Sequence, residues 1–174
     1  EFLFLVDEQN IIQAKIYKYI TDELAKQDIN IEVYYHNAQL NRFWNKEHAQ
    51  GIDLDQLHRE YASSVLVVFG NMYELLDPFP EHLPCLRASM LNKLLLWKSR
   101  FLLTPQLPVA WTYREQLLFE QFILLPCDEE GLSAFAACIE NGKNREDMAT
   151  SFDVWQKEQS AKRPKDVSCL YRRW

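Results

Sequence analysis

Hydrophobic residues in this chain fall into short unbroken runs separated by stretches with a helical rhythm. The clearest run is Ser64-Val65-Leu66-Val67-Val68-Phe69-Gly70-Asn71. It is Val-rich, has no polar alternation and stops at Gly-Asn. It predicts a strand buried on both faces, the kind that belongs to parallel sheets covered by helices. Phe2-Leu3-Phe4-Leu5-Val6, ending at Asp7-Glu8, predicts the first strand. Ile12, Ile16, Ile20 and Leu24 then recur every four residues, with Lys15, Lys18, Asp22, Glu23 and Lys26 between them, which predicts an amphipathic helix lying on a sheet. Ile29, Ile31, Val33 and Tyr35 alternate with Asn30, Glu32 and Tyr34, so the second strand buries one face well and is expected at an edge. Asn37 to Ile52 has no clear period, although it holds Phe43 and Trp44, and predicts a loop or an irregular helix.

Asp53 is placed to cap a short helix whose Leu54, Leu57 and Tyr61 face inward and which leads into the central run. Pro78, Pro80 and Pro84 hold the following segment extended, since proline fixes its own φ and biases its predecessor away from helix. Leu86, Met90, Leu94 and Trp97 share a helical face, and Arg100 to Thr104 forms a fourth strand closed by Pro105. Thr112 with Glu115 is a capping-box pattern opening a helix through Leu118 to Gln121. Phe122 to Leu125 is the fifth strand. Asp128 caps a helix with Leu132, Phe135, Ala136 and Ile139 inside, and Asn141-Gly142 stops it.

Five β-α repeats of these lengths imply an α/β fold. The expected form is a flavodoxin-like, doubly wound, five-stranded parallel sheet in the order 2-1-3-4-5, with helices on both faces. Residues 1–142 would form this domain. Residues 143–174 would form a polar linker and a C-terminal helix, capped by Ser151 and carrying Trp155, that packs back on the domain.

Length changes this picture little: 174 residues suit one domain with an appendage. Charge narrows it. A net charge of −6 argues against a general nucleic-acid binder, leaving only the basic C-terminal cluster Lys162, Arg163, Lys165, Arg172 and Arg173. Cys85, Cys127, Cys138 and Cys169 are widely spaced, with no C-x-x-C pair, and read as free thiols of a reducing cytoplasm. No apolar stretch reaches membrane-spanning length, and no basic leader precedes the first strand. Opening on Glu1, the chain reads as a segment of a longer polypeptide.

In an open parallel sheet, ligands bind beyond the carboxyl ends of the strands. That rule nominates a crevice rim of Asp7, Glu8, His36, Asn71, Thr104 and Asp128. No known catalytic device falls there. The first turn, Asp7-Glu8-Gln9-Asn10, lacks the glycines of a dinucleotide site, and neither G-x-x-x-x-G-K-S/T nor G-x-S-x-G occurs. Asp7 and Glu8 are two of the carboxylates a magnesium ion takes, but two acids are a weak signal, and a solvated strand end or a helix N-terminal charge explains them more cheaply. His36, His48, His58 and His82 have no i,i+3 or i,i+4 pairing and are expected on the surface or in loops, so no metal, cofactor or catalytic residue is assigned. Ser63 and Ser64 are expected to hydrogen-bond locally at a strand start.

The order of signals resembles bacterial response-regulator receiver domains over about residues 2 to 141. Leu5-Val6-Asp7-Glu8 is similar to their acidic turn, Leu103-Thr104 to their switch threonine, and Leu124-Leu125-Pro126-Cys127-Asp128 to their K-P segment. Their phosphoacceptor aspartate would fall at Phe69 or Gly70, and their lysine at Leu125. The resemblance therefore implies a pseudo-receiver, without the carboxylate and cation that a phosphoryl switch needs. Ser63 to Tyr73 also resembles the third strand of Toll/interleukin-receptor domains, some of which cleave NAD. Their glutamate is expected in the helix after that strand, whereas here Glu74 and Glu81 precede it. The expectation is thus a non-catalytic regulatory or protein-interaction module of a larger cytoplasmic, bacterial signalling or defence protein, binding a protein partner or a neighbouring domain. The alternative is an NAD-cleaving domain. Exposed apolar residues around Phe79, Trp44 or the Trp155 helix are the expected contact surface.

Overall fold

A computed structural model describes residues 1–7, 16–20, 22, 26, 29–37, 39–77 and 85–163. The central run forms β4 (Val65–Phe69), flanked by β1 (Phe2–Asp7) and β5 (Arg100–Thr104). Beyond them lie β2 (Ile31–His36) and β6 (Ile123–Pro126), and all four of these contacts are parallel. The protein is therefore α/β, built on a mostly parallel sheet. The sheet is not the five-stranded, wholly parallel one expected. It has six strands in the order β3-β2-β1-β4-β5-β6, because β3 (Phe43–Trp44) adds to β2 in the antiparallel sense. β2 is consequently an interior strand, and the segment 37–52 is neither simple loop nor helix. Phe43 exchanges backbone hydrogen bonds with Ile52 at 2.8 Å in both directions, which closes a tight return around β3.

Side chains of the parallel strands alternate between two cores, as the two-residue period of a strand requires. Leu3, Leu5, Leu66, Val68, Leu102 and Leu124 point to one face. There they meet Leu57 of α2 (Leu54–Tyr61), Leu91 and Leu94 of α3 (Ala88–Leu94), and Leu118 and Phe119 of α4 (Tyr113–Phe119). Phe4, Val6, Val67, Phe69, Phe101, Leu103 and Leu125 point to the other, against Ile20 of α1 (helical over 16–20) and Phe135 of α5 (Glu129–Glu140). Helix α3 is shorter than its apolar rhythm suggests, since Leu86 is taken into a bridge with Leu76 before the helix starts. Ile12 and Leu24, expected on α1, lie outside the described residues, as do Pro78, Pro80 and Pro84.

The helix starts follow from local chemistry. Asp53, Thr112, Asp128 and Ser151 each accept a hydrogen bond from a first-turn N–H of α2, α4, α5 and α6 (Phe152–Ala161), satisfying donors that have no partner within the helix.

Helix α6 crosses the free edge of β6. The Trp155 indole N–H donates to Leu124 O at 2.7 Å, filling an edge acceptor that no strand takes up. On one side Phe152 packs on Trp111 and Phe119, and Gln156 donates to Pro108 O at 2.6 Å. The expected linker before α6 is anchored too. Arg145, in a 3-10 turn (Arg145–Asp147), donates to Phe119 O, and Glu146 pairs at 2.7 Å with Arg100, whose side chain is buried at the start of β5.

Helix α5 sits unusually close to the end of β6. A Cβ on Gly131 would lie 1.8 Å from Pro126 O, whereas one on Gly142 meets nothing within 4 Å. Gly131→Ala should therefore cost at least about 1–3 kcal/mol, the range for overpacking a closed site, measured by urea unfolding, and should exceed the cost of Gly142→Ala.

Candidate functional site

The carboxyl ends of the strands form the rim nominated from the sequence, except that Glu8 lies outside the described residues. Parallel pairing sets Asp7 directly beside His36. Asn71 follows β4, Thr104 ends β5, and Asp128 follows β6. The rim thus brings Asp7 and His36 together and spreads the others across the width of the sheet.

His36 is a core residue, 2% exposed, rather than the surface or loop histidine expected. β3 causes this: Phe43 pairs with His36 in register and packs its ring 5.9 Å away. His36 Nδ1 lies 3.0 Å from Asn37 O, and that carbonyl can only accept, so Nδ1 carries the proton. Nε2 is left as a buried acceptor with no hydrogen-bond partner among the described residues. Burial lowers the pKa of the imidazole, opposed by the Asn37 carbonyl and by the nearby charges of Asp7 and Glu74. The ring is held neutral. Of the other histidines, His48 bonds Tyr34 Oη at 2.8 Å and His58 packs edge-on to Trp97, while His82 lies outside the described residues.

The loop after β4 is the strained part of the rim. Gly70 has φ 148° and Met72, 1% exposed, has φ 52°, a left-handed conformation that a long side chain rarely takes. Asn71 Oδ1 between them is buried without a hydrogen-bond partner among the described residues. This turn aims Tyr73 at Glu115, a carboxylate 2% exposed that sequence reading identifies only as part of a helix cap. Glu115 accepts from the Thr112 N–H at 2.7 Å, the Thr112 hydroxyl at 2.9 Å and the Tyr73 hydroxyl at 2.6 Å. Burial and this bond push Tyr73 up to about 12. The capping-box spacing could have flagged Glu115, but nothing in the sequence flags Tyr73 as its third donor.

The remaining rim groups are bonded within the fold. Thr104, 2% exposed, accepts from the Gln106 N–H at 3.2 Å. Asp128 accepts from the Gly131 N–H at 2.8 Å and from Arg163 Nε and Nη2, both at 2.6 Å. Burial, with the Asp128 charge second, pushes the Cys127 thiol up to about 12, so it stays protonated and unreactive. Ser64, just before β4, bonds locally through its backbone, its N–H donating to Tyr61 O at 3.1 Å, while its buried hydroxyl has no hydrogen-bond partner among the described residues. Among the described residues no group of three or more His, Cys, Asp or Glu is placed to hold a metal ion, and no helix is long and apolar enough to cross a membrane.

A second concavity lies away from the rim. Between α1 and α5 runs an apolar groove of about 700 Å³, with Phe2 at its floor, Ile16, Tyr19 and Ile20 on one wall and Leu132 and Ile139 on the other. Tyr19 is 56% exposed on its lip. Among the described residues, the charged ones that line it are Asp128, Glu129 and Glu140, all acidic. Comparison with protein-family models, curated proteins and solved structures finds no significant match to the chain.

Two outcomes follow from this geometry. Above pH of about 6.5, His36 is neutral both folded and unfolded. Below that, the unfolded chain binds a proton that the folded chain refuses, so stability falls as the pH drops. Urea unfolding at neutral and at mildly acid pH should show a smaller acid-induced loss for His36→Gln than for the parent chain. Tyr73→Phe removes one of the three donors to a buried carboxylate and should cost about 1.5–3 kcal/mol, the range for hydrogen bonds to charged groups, read from the same unfolding curves.

Proposed function

We propose that this chain is a non-catalytic regulatory or protein-interaction module with a flavodoxin-like, doubly wound arrangement and a pseudo-receiver-like rim, working inside a larger signalling or defence protein. The five parallel strands, taken in the order β2-β1-β4-β5-β6 with β3 as an added edge, support the architecture. The observation that carries the function is the contrast between the two concavities. At the rim, Thr104, Glu115 and Asp128 are committed to bonds within the fold, and Phe69, at the end of the central strand, is fully buried. The α1–α5 groove, by comparison, is open and apolar, the character of a docking surface, and the charged residues described on its border are acidic. Free Cys85, Cys127 and Cys138 support a reducing compartment.

The test has a negative and a positive arm. Amide chemical shifts should not respond to magnesium with beryllofluoride, a phosphoryl mimic, and incubation with NAD should release no nicotinamide. Tyr19→Asp, on the exposed lip of the groove, should weaken capture of a cognate protein by about tenfold or more, as expected for an aromatic anchor, while leaving the melting temperature in place. Nicotinamide release, or a saturable response to beryllofluoride, would replace this reading with a catalytic or phosphoryl-switched one.

A further inference from the structure

The seat that α6 occupies on the β6 edge is built from anchors of three kinds. Phe152, Trp155, Gln156 and Gln159 share one stripe of the helix at i, i+3, i+4 and i+7, and Arg163 continues it just past the last turn. Phe152 and Trp155 pack on Phe119, with ring centroids 5.7 and 6.1 Å away, and Phe152 also stacks on Trp111 at 6.2 Å. The Trp155 indole and the Gln156 amide donate to main-chain oxygens: Leu124 O at 2.7 Å, Pro108 O at 2.6 Å and Trp111 O at 3.1 Å. Arg163 grips the Asp128 carboxylate with two bonds of 2.6 Å.

One position on the stripe does not fit. Gln159 is the one buried residue of the helix, 0% exposed, yet neither its Oε1 nor its Nε2 has a hydrogen-bond partner among the described residues. Exchanging the two atoms does not help, because both are bare. A buried amide without partners opposes the closed state, whereas an unbranched apolar side chain of similar size favours it. Helix α6 is therefore an imperfect ligand for its own seat.

The connection lets the helix leave. Arg145 donates to Phe119 O and Glu146 pairs with Arg100, so the chain is fixed ahead of α6 by contacts that do not involve it. Residues 149–151, between that anchor and α6, have no regular structure and span about 10 Å when extended.

We propose that the α6 seat is a helix-docking site for a partner protein, with α6 as its displaceable resident. The seat defines the partner's chemistry. It is an amphipathic helix with aromatic residues at the places of Phe152 and Trp155, an apolar residue at that of Gln159, and a guanidinium that reaches Asp128. Such a helix keeps the anchors of α6 and drops its unpaired amide, which counters the high effective concentration that tethering gives α6. This surface is additional to the α1–α5 groove and does not rest on it.

The probe is a fluorescein-labelled peptide of residues 149–163, made with the native Gln159 and with Gln159→Met. In the full chain carrying Arg163→Ala, which frees Asp128, the Met peptide should bind saturably. It should bind about tenfold or more tighter than the native peptide, the factor for removing one unpaired buried amide. Amide shift changes on binding should centre on Trp111, Phe119, Leu124 and Asp128. Tyr19→Asp should leave the affinity unchanged, so that this seat and the α1–α5 groove stand or fail separately; a loss of affinity would place the peptide in that groove and overturn the proposal. Built into the chain itself, Gln159→Met should raise the urea midpoint and suppress binding of either peptide. Equal affinities for the two peptides, or a lowered urea midpoint, would show the amide to be satisfied and overturn the proposal, as would no binding of the Met peptide to the Arg163→Ala chain. A concentration-dependent dimer of the full chain, left intact by Gln159→Met, would assign the seat to the α6 of a second copy and replace the partner reading.

Discussion

A parallel sheet whose strands are oily on both faces leaves its hydrogen-bonding edges as the one part that helices above and below cannot cover. Much of this protein's individuality follows from how the two edges are closed. At one side the backbone of β2 is met by two residues of β3, running the opposite way. At the other, α6 lies across β6 and fills the Leu124 carbonyl with an indole N–H. Both closures use a large aromatic, Phe43 in the first and Trp155 in the second, so sealing the backbone and extending the core are done by the same residues.

The first closure also shapes the rim. Because β3 lies against β2, the ring of His36 is enclosed rather than solvated, and it stays neutral with Nε2 lacking a partner among the described residues. The strained turn at Gly70 and Met72 is the counterpart after β4, where the chain reverses sharply enough to send Tyr73 toward α4. Thr104, Glu115 and Asp128 are here drawn into bonds within the fold, whereas His36 Nε2 and Asn71 Oδ1 have no partner among the described residues. The Tyr73–Glu115–Thr112 network is buried and satisfied, and rigidifies the join between the β4 turn and α4.

How much of this was legible beforehand depended on the length scale of the signal. β4 announced itself because Val65 to Phe69 is continuous, and the helix starts did so because capping is a contact between residues two or three apart. Asp53, Thr112, Asp128 and Ser151 are all found capping. β3 is two residues long and has no period to detect; its cause is the return at Ile52 and the pairing with Tyr35 and His36. The burial of His36 follows from that pairing and was illegible for the same reason. Glu115 was half legible: its cap lies within three residues, but its Tyr73 bond spans 42. Arg163 looked like one charge in a basic tail, and its partner Asp128 is 35 residues away. Contacts across such separations leave no local trace.

The strap formed by α6 has a consequence for synthesis. A ribosome delivers β6 some thirty residues before Trp155, so for that interval the nascent sheet has a bare outer edge of Ile123 to Pro126 and no indole to occupy it. Unpaired strand edges are sites where chains join one another. Products that terminate within this window would carry a finished core and an adhesive flank, a reason for translation through α6 to be fast or for a chaperone to attend it.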